Sequence, residues 1–444
     1  QGIDLYLESV NTAGGIGGKR VVLDVYDDQN NPERAKAQAE QVVRDNRAAA
    51  VIGHHYSSCS IRAGEVYKAR HIPAISPAST NVKITQDNPW YFRTIFNDNS
   101  QGRFLATYAN KVFGYETASI IHEDQEYGGY LAQVFEETCN AMGVEVRYKW
   151  GFEMNAPYLD QSLVQIVNEL QYKTDAGVIF LATHAPEGAK LIRLMKDNLV
   201  ENPIMAPDAF SSEAFQSAFK DMPKERTNPG FYTDGMFVTT PLIFDTTNEK
   251  GLQFKESYLT AYGEEPGWHA AFAYDSAMLI VEAMRRSGAA DEDASIAELR
   301  ERIRDALGDM TNPYEAIEGV TGYTYFDRNG DSQKPIFIGV YRKQNIVSAL
   351  IQFRAISNLN EVPNFDKAVD DGRILIFDGR YSYKVNLIYT GIKINEISEL
   401  DPKTFNANLD FYLWFRYRGG IDLQTIEFLN AVEPIQLGEP AHEQ

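Results

Sequence analysis

The residues best suited to chemistry are the hydroxyls of two short loops. One is Gly53-His54-His55-Tyr56-Ser57-Ser58-Cys59-Ser60 and the other is Ile75-Ser76-Pro77-Ala78-Ser79-Thr80-Asn81. Each follows a short apolar run, Val51-Ile52 or Pro73-Ala74-Ile75, that reads as a buried strand. If the two strands lie parallel in one open α/β sheet, both loops emerge at its carboxyl edge, where such sheets bind ligands. Hydroxyls, backbone N–H groups and a helix N-terminus together make a cradle for a carboxylate or phosphate. The same Ser and Thr residues also suit plain capping of the helices that follow, because capping uses the same N–H groups.

The elements that would position these loops alternate between apolar runs and amphipathic stretches, the pattern of a mostly parallel α/β sheet. Val21-Val22-Leu23-Asp24-Val25-Tyr26 reads as a strand, and Pro32 to Arg47 as a helix with proline in its first turn. Ala49 to Ile52 and Pro73 to Ile75 are short strands flanking a helix from Ser60 to Arg70. A second set follows: helix 102–112, strand 118–122, helix 128–142, strand 144–149, helix 158–170, strand 177–182, helix 187–198 and strand 204–206. Phe237 to Pro241 reads as a crossing back and the helix His269 to Ser287 as a return to the first set. Val320 to Ala349 is strand-rich, with a turn at Asn329-Gly330.

Several short motifs occur in a fixed order. They are Asn11-Thr12-Ala13-Gly14-Gly15-Ile16-Gly17-Gly18, Asp27-Asp28 ahead of the Pro32 helix, the two hydroxyl loops, and Phe92-Arg93-Thr94 with Gln101-Gly102. Tyr127-Gly128, Ala185-Pro186-Glu187 and Gly322 through Phe326-Asp327-Arg328-Asn329-Gly330-Asp331 complete the series. This ordered set, spanning residues 1 to 355, resembles the type I periplasmic solute-binding proteins of the branched-chain amino acid group. The resemblance implies two parallel-sheet α/β lobes joined by three hinge crossings, with a cleft that closes on a ligand. Lobe 1 would comprise 1–102 and 236–319, and lobe 2 103–235 and 320–355. In one respect the chain departs from the pattern. The family's sheet opens with a strand and a Gly/Ser loop ahead of the first helix, whereas this sequence opens in that helix at Gly2.

By the same resemblance, Ser57, the Ala78 backbone, Ser79 and Thr80 match positions that receive an amino acid's α-carboxylate. Tyr127 matches an aromatic that covers the ligand, and His184 stands at the place of another aromatic contact. Asp208 falls where the family places a carboxylate for the α-ammonium; its other reading is a cap for a helix at 212–219. Tyr56 and His55 occupy positions that are commonly small or aliphatic, so they would shrink or polarise the pocket. No metal is expected. Adjacent His54 and His55 point in different directions, and Asp327-x-Asn329-x-Asp331 lacks the Glu of a calcium loop at its twelfth position, where Ile338 stands. A hairpin turn is the better reading there, and no cofactor is implied.

Composition narrows the remaining choices. A chain of 444 residues suits two or three domains. Its net charge of −20 argues against nucleic acid and against docking on anionic lipid. No apolar run approaches the roughly 20 residues that span a bilayer, and Gln1 to Tyr6 is not a signal peptide. The expected location is periplasmic or extracellular, with any targeting segment removed. The two cysteines, Cys59 and Cys139, fall on different lobes and are not expected to form a disulfide. No nucleophile elbow, nucleotide fingerprint or metal-ligand set occurs, which disfavours an enzyme with an α/β cleft.

Residues 356–372 read as a polar linker and 373–444 as a β-strand module. Phe405, Ala407, Leu409, Phe411, Leu413 and Phe415 alternate with polar or amphipathic residues, the period of a long antiparallel strand with one buried face. Gly391 to Arg418 resembles the opening strands of the extracellular β-sandwich of pentameric ligand-gated channels. Such a sandwich needs more strands than remain, so the parent protein is expected to continue, into a membrane. The function that follows is closure on a small amino-acid-like or carboxylate ligand, as the sensory ectodomain of a membrane receptor. The alternative is a free substrate-binding subunit of an ABC amino-acid transporter.

Overall fold

The structure, a computed structural model, describes residues 1–438 apart from 290–293, 357, 378, 424, 425 and 436. Its larger sheet has seven strands, in the order Asn345–Ser348, Phe337–Arg342, Phe237–Thr240, Ile204–Ala206, Val178–Ala182, Thr117–Glu123 and Glu145–Phe152. The last five run parallel, while Phe337–Arg342 joins antiparallel to Phe237–Thr240. Val178–Ala182 is buried along its whole length, as a central parallel strand covered on both faces must be. The edge strand Glu145–Phe152 alternates between exposed and half-buried residues up to Gly151 and ends on the buried Phe152.

The smaller sheet has three parallel strands, Val51–Ile52, Ala74–Ser76 and Tyr91–Arg93, paired Val51 to Ala74 and Ala74 to Tyr91. It accounts for the two hydroxyl loops, which leave the carboxyl ends of adjacent strands. The strand expected at Val21 to Tyr26 is not formed, and Val22 and Val25 are 79% and 83% exposed. The apolar alternation is present, but a strand exists only through its neighbour's hydrogen bonds, and among the described residues no strand pairs with this segment. Between it and the Val51–Ile52 edge is a cavity of about 760 Å³, walled by Ile3, Leu7, Val42, Ile280 and Leu299.

Three segments pass between the sheets, following Arg93, Thr240 and Asp331. The first and third are tied by a buried ion pair: Arg93 Nε and Nη2 donate to Asp331 Oδ1 at 2.9 and 2.6 Å, while Nη1 donates to the carbonyls of Ser79 and Asn81. Burial alone would raise the Asp331 pKa, but the Arg93 charge, with Thr85 and Asn97, holds it below the ordinary carboxylate range. Asp331 is thus an anchor behind the second hydroxyl loop, and Gly330 sits in the turn with φ +85°.

Helix boundaries shift toward the loops. The helix expected from Ser60 starts at Ser57, that from 128 at Glu126 and that from 187 at Ala185. In place of a helix at 212–219 there is a 3-10 turn, Asp208–Ser211, then a short helix, Glu213–Ser217, capped by the Ser212 hydroxyl. Helices Glu249–Tyr262 and Ile296–Gly308 were not singled out in the sequence.

The C-terminal part differs from expectation in two ways. Ile351–Ala355 leaves the larger sheet and pairs with Arg380–Asn386, which also pairs with Ile374–Phe377. The stretch read as a polar linker contains the helix Phe365–Asp370 and packs Val362 and Ala368 on Ile374. Tyr389–Asp401 and Asn406–Arg416 then form a two-stranded ribbon. The period-two strand is there, but its expected buried face is only partly covered: Phe405 is 89% and Leu409 52% exposed, while Phe411, Leu413 and Phe415 are half-buried. Among the described residues no third strand or second layer covers it, so no sandwich is formed. The ribbon is anchored at its base, where the Tyr389 hydroxyl donates to the Ser348 carbonyl and to Asp245.

Candidate functional site

The two hydroxyl loops face the strand ends of the larger sheet across a pocket of about 390 Å³. Of the nine residues singled out in the sequence, Ser57, Ala78, Thr80, Tyr127, His184, Asp208, Tyr56 and His55 all line it. Ser79 does not. Its hydroxyl is 2.7 Å from Ser60 Oγ and 2.9 Å from the carbonyls of His54 and His55, so it holds the two loops together.

On the first wall, the helix Ser57–Ala69 directs its N-terminus at the pocket, and Tyr56, its N-cap, makes no side-chain cap. Ser57 Oγ accepts from the Asn81 backbone N–H at 3.2 Å, which leaves its own proton to donate. The Thr80 carbonyl accepts from the Asp98 N–H, and the loop around it is fixed from behind by Arg93.

On the second wall, Asp208 opens the 3-10 turn beyond strand Ile204–Ala206 and is 4% exposed. Ser212 does the capping that was the other reading of this aspartate. Asp208 Oδ1 accepts from Gln101 Nε2 and from the Tyr127 hydroxyl, both at 2.7 Å. Both donors converge on one oxygen, which leaves Oδ2 for another partner. Burial pushes the Asp208 pKa up to about 6, against the Tyr127 hydrogen bond. Nearby Asp98, fully buried, is raised well above the ordinary value by burial and then by the Asp208 charge. Neither of its oxygens has a hydrogen bond of ordinary geometry, although the Thr80 hydroxyl lies close enough to oppose the shift. The Asp208 charge thus opposes ionisation of Asp98.

Tyr127 lies in the first turn of the helix Glu126–Ala141, which approaches strand Val178–Ala182 so closely that a Cβ on Gly128 would fall 2.2 Å from the Ala182 carbonyl. His184 caps the next helix, and its Nδ1 lies 2.7 Å from Glu123 Oε1. Burial alone would raise Glu123, but the His184 ring, with the Thr183 hydroxyl, holds it below its ordinary pKa. The Tyr56 ring stacks on that of His184 at 3.9 Å between centroids, and Asn81 Nδ2 donates to the Glu126 carbonyl. Both contacts join the two walls, so the cleft is closed.

The far end of the pocket holds residues that the sequence did not flag, notably Trp268 and His269 at the start of the helix Trp268–Arg286. The His269 ring stacks on His55 at 4.8 Å. Burial, with the His184 charge second, pushes His55 down to about 4, and burial, with the His55 charge second, also holds His269 well below the ordinary histidine value. Both are neutral imidazoles at pH 7. The only available signal was a histidine opening the returning helix. His54 turns the other way, its Nδ1 2.6 Å from Asp28 and its Nε2 3.0 Å from the Tyr67 hydroxyl. Among the described residues no group of His, Cys, Asp and Glu could hold a metal. Cys59 and Cys139 are free and buried.

A family profile described as periplasmic binding protein matches residues 1–339. The chain is 26% identical over 326 residues to the leucine-, isoleucine-, valine-, threonine- and alanine-binding protein of Pseudomonas aeruginosa, covering 73% of this chain and 79% of that one. A second P. aeruginosa relative, an amino acid binding protein, is 28% identical over 289 residues, 64% of this chain and 72% of its own. Among solved structures, a leucine binding protein from Thermotoga maritima superimposes with a TM-score of 0.66 at 21% identity, covering 78% of this chain and 91% of that one. The substrate binding protein of a branched-chain amino acid transporter from Streptococcus pneumoniae, in complex with isoleucine, gives the same score and coverage at 20% identity. These two are likenesses of fold.

Proposed function

The chain belongs to the periplasmic binding protein family, and from that premise we propose that it closes on one small amino-acid-like ligand in the pocket between its lobes. The observation that carries this reading is the opposition of unlike groups across about 390 Å³. One wall offers a helix N-terminus with the Ser57 hydroxyl and the Thr80 loop, the other the spare oxygen of Asp208. The first is complementary to a carboxylate and the second to an ammonium, as an α-amino acid presents them. Ser57, Ala78 and Thr80 receive the carboxylate, Asp208 the ammonium, and Tyr127 covers the ligand. Ser79 acts one step behind them. The relatives named for leucine, isoleucine or alanine support the amino-acid part of the reading.

Tyr56, His55, His184, Trp268 and His269 surround the space left for the side chain. Rings with polar edges fit a distal end that is aromatic or carries a hydrogen-bonding group better than a purely aliphatic one. The role is solute binding, with no chemical step. Of the two settings for such a protein, the sensory ectodomain of an exported membrane receptor is favoured over a free transporter subunit, because a diffusing subunit has no need of the ribbon at residues 389–416.

A thermal-shift screen of amino acids, their amides and simple carboxylates tests the reading, since a ligand that binds only the folded state raises the melting temperature by mass action. One or a few free amino acids are expected to stand out while their amides do not. Stabilisation by amides or esters equal to that by the free acids would refute it.

A further inference from the structure

The far end of the pocket between the lobes carries two imidazoles whose hydrogen bonds are unmade. His55 and His269 both line it, and their rings stack at 4.8 Å between centroids, 25° from parallel. The His269 ring stacks also on Trp268, at 3.5 Å. Stacking occupies ring faces, whereas ring nitrogens bond in the plane of the ring, so these contacts leave the nitrogens free. Among the described residues neither ring has a hydrogen-bond partner. His54 and His184 differ, with Nδ1 atoms 2.6 Å from Asp28 and 2.7 Å from Glu123.

The charges around the two rings narrow what this end can take. Apart from histidines, the ionisable acids and bases among the described residues of the lining are Asp208 and Glu213, with two tyrosines and neither Lys nor Arg. A side-chain carboxylate would therefore enter without a counter-ion. Glu213 is exposed and takes the Gly267 N–H, which leaves Asp208 as the buried anion, on the side assigned to the α-ammonium. Burial keeps both imidazoles uncharged at neutral pH. Each then presents one N–H donor and one acceptor nitrogen. A ligand that displaces water from them and brings an aliphatic side chain leaves both unpaired. A carboxamide supplies the matching pair, a carbonyl that accepts and an NH2 that donates.

Resting on the amino-acid reading above, we propose that the ligand is an α-amino acid whose side chain ends in a carboxamide, with His55 and His269 as the residues that select it. Calorimetric titration of the full chain with L-glutamine and L-asparagine, against L-glutamate, L-leucine and L-lysine, tests this. One of the two carboxamides is expected to bind at least about tenfold more tightly than each of the other three, the effect of polar groups left unpaired by the wrong side chain. His55→Phe and His269→Phe keep a ring for the stack and remove its nitrogens, so each should cut that preference at least about threefold. The preference of the parent protein is read without either variant, so a variant that fails to fold leaves the test intact. Binding of leucine, glutamate or lysine as tight as that of the better carboxamide, or a preference unchanged in a folded variant, overturns the proposal while the amino-acid reading stands. If none of the five binds and a carboxylate or amide that is not an amino acid does, both fall.

Discussion

Replacing Asp208 by Asn should move stability and binding in opposite directions. The carboxylate is buried, and its pKa stands at about 6 against an ordinary 3.8. A raised carboxyl pKa means that the folded state holds its proton over a pH range where the unfolded state has released it. Folding stability therefore falls as pH rises from about 4 to about 6 and stays lowered above that. At about 1.4 kcal/mol per unit, the charge costs the ligand-free protein on the order of 3 kcal/mol at neutral pH. Asn keeps the shape and one acceptor for Gln101 and Tyr127, so it removes the charge without orphaning those donors. The ligand-free variant should melt no lower than the parent. An ammonium ligand loses its counter-charge and meets an amide, which should weaken binding by about 2–5 kcal/mol, or at least about thirtyfold. Differential scanning calorimetry of the ligand-free protein and calorimetric titration with the amino acid found by screening read the two effects. Affinity within about threefold of the parent would refute the assignment of Asp208.

Four further outcomes follow from the same geometry. Ligand affinity should fall as pH drops below about 6, because the proton competes with the ammonium for Asp208, while His55, at about 4, and His269 stay neutral through that window; a flat affinity between pH 5 and 7 by titration would contradict this. Thr80→Val should weaken binding at least about tenfold, read in the same experiment, with no loss if the hydroxyl only serves Asp98. Tyr56→Ala removes the ring that spans the cleft onto His184 and should speed ligand dissociation several-fold by stopped-flow, in line with about 0.5–1.5 kcal/mol for an aromatic pair; an unchanged rate would mean that the contact does not hold the closed state. If the tail reports closure, amide hydrogen exchange of residues 389–416 should differ with and without ligand, and identical exchange would leave the ribbon a passive extension.

What the sequence revealed and what it hid follow from how locally each feature is specified. The central strand Val178–Ala182 is legible because burial on both faces demands an unbroken apolar run. That Ser57, Thr80 and Asp208 would share one pocket was legible because each follows a short strand, and strand ends are where such sheets form ligand clefts. Val21 to Tyr26 misled because its pattern specifies only a preference, whereas a strand depends on a neighbour that the pattern cannot show. Trp268 and His269 escaped notice because only the chain's return across the hinge brings them to His55. Asp98 looks like an ordinary acidic residue in a helix's first turn, and only burial beside Asp208 sets it apart. The pairing of Ile351–Ala355 was not legible because its partner, Arg380–Asn386, lies some way further along the chain, past the boundary drawn at residue 355.

The way the ribbon is fixed has a mechanical consequence. Its base is bonded to Ser348 and Asp245, at the end of the larger sheet and just past the second crossing, while the rest extends away from that base, most of its residues exposed and Phe411, Leu413 and Phe415 half-buried. Strand Tyr389–Asp401 has 13 residues, so at about 3.4 Å per residue the projection is roughly 44 Å long. A body that turns about the hinge carries such a projection as a lever arm. A rotation of about 15°, the size of a familiar subunit rotation in an allosteric protein, would sweep its tip through roughly 11 Å. A displacement of that size exceeds the 8–10 Å spacing of packed helices, and so would suffice to make or break a contact with whatever stands at the tip.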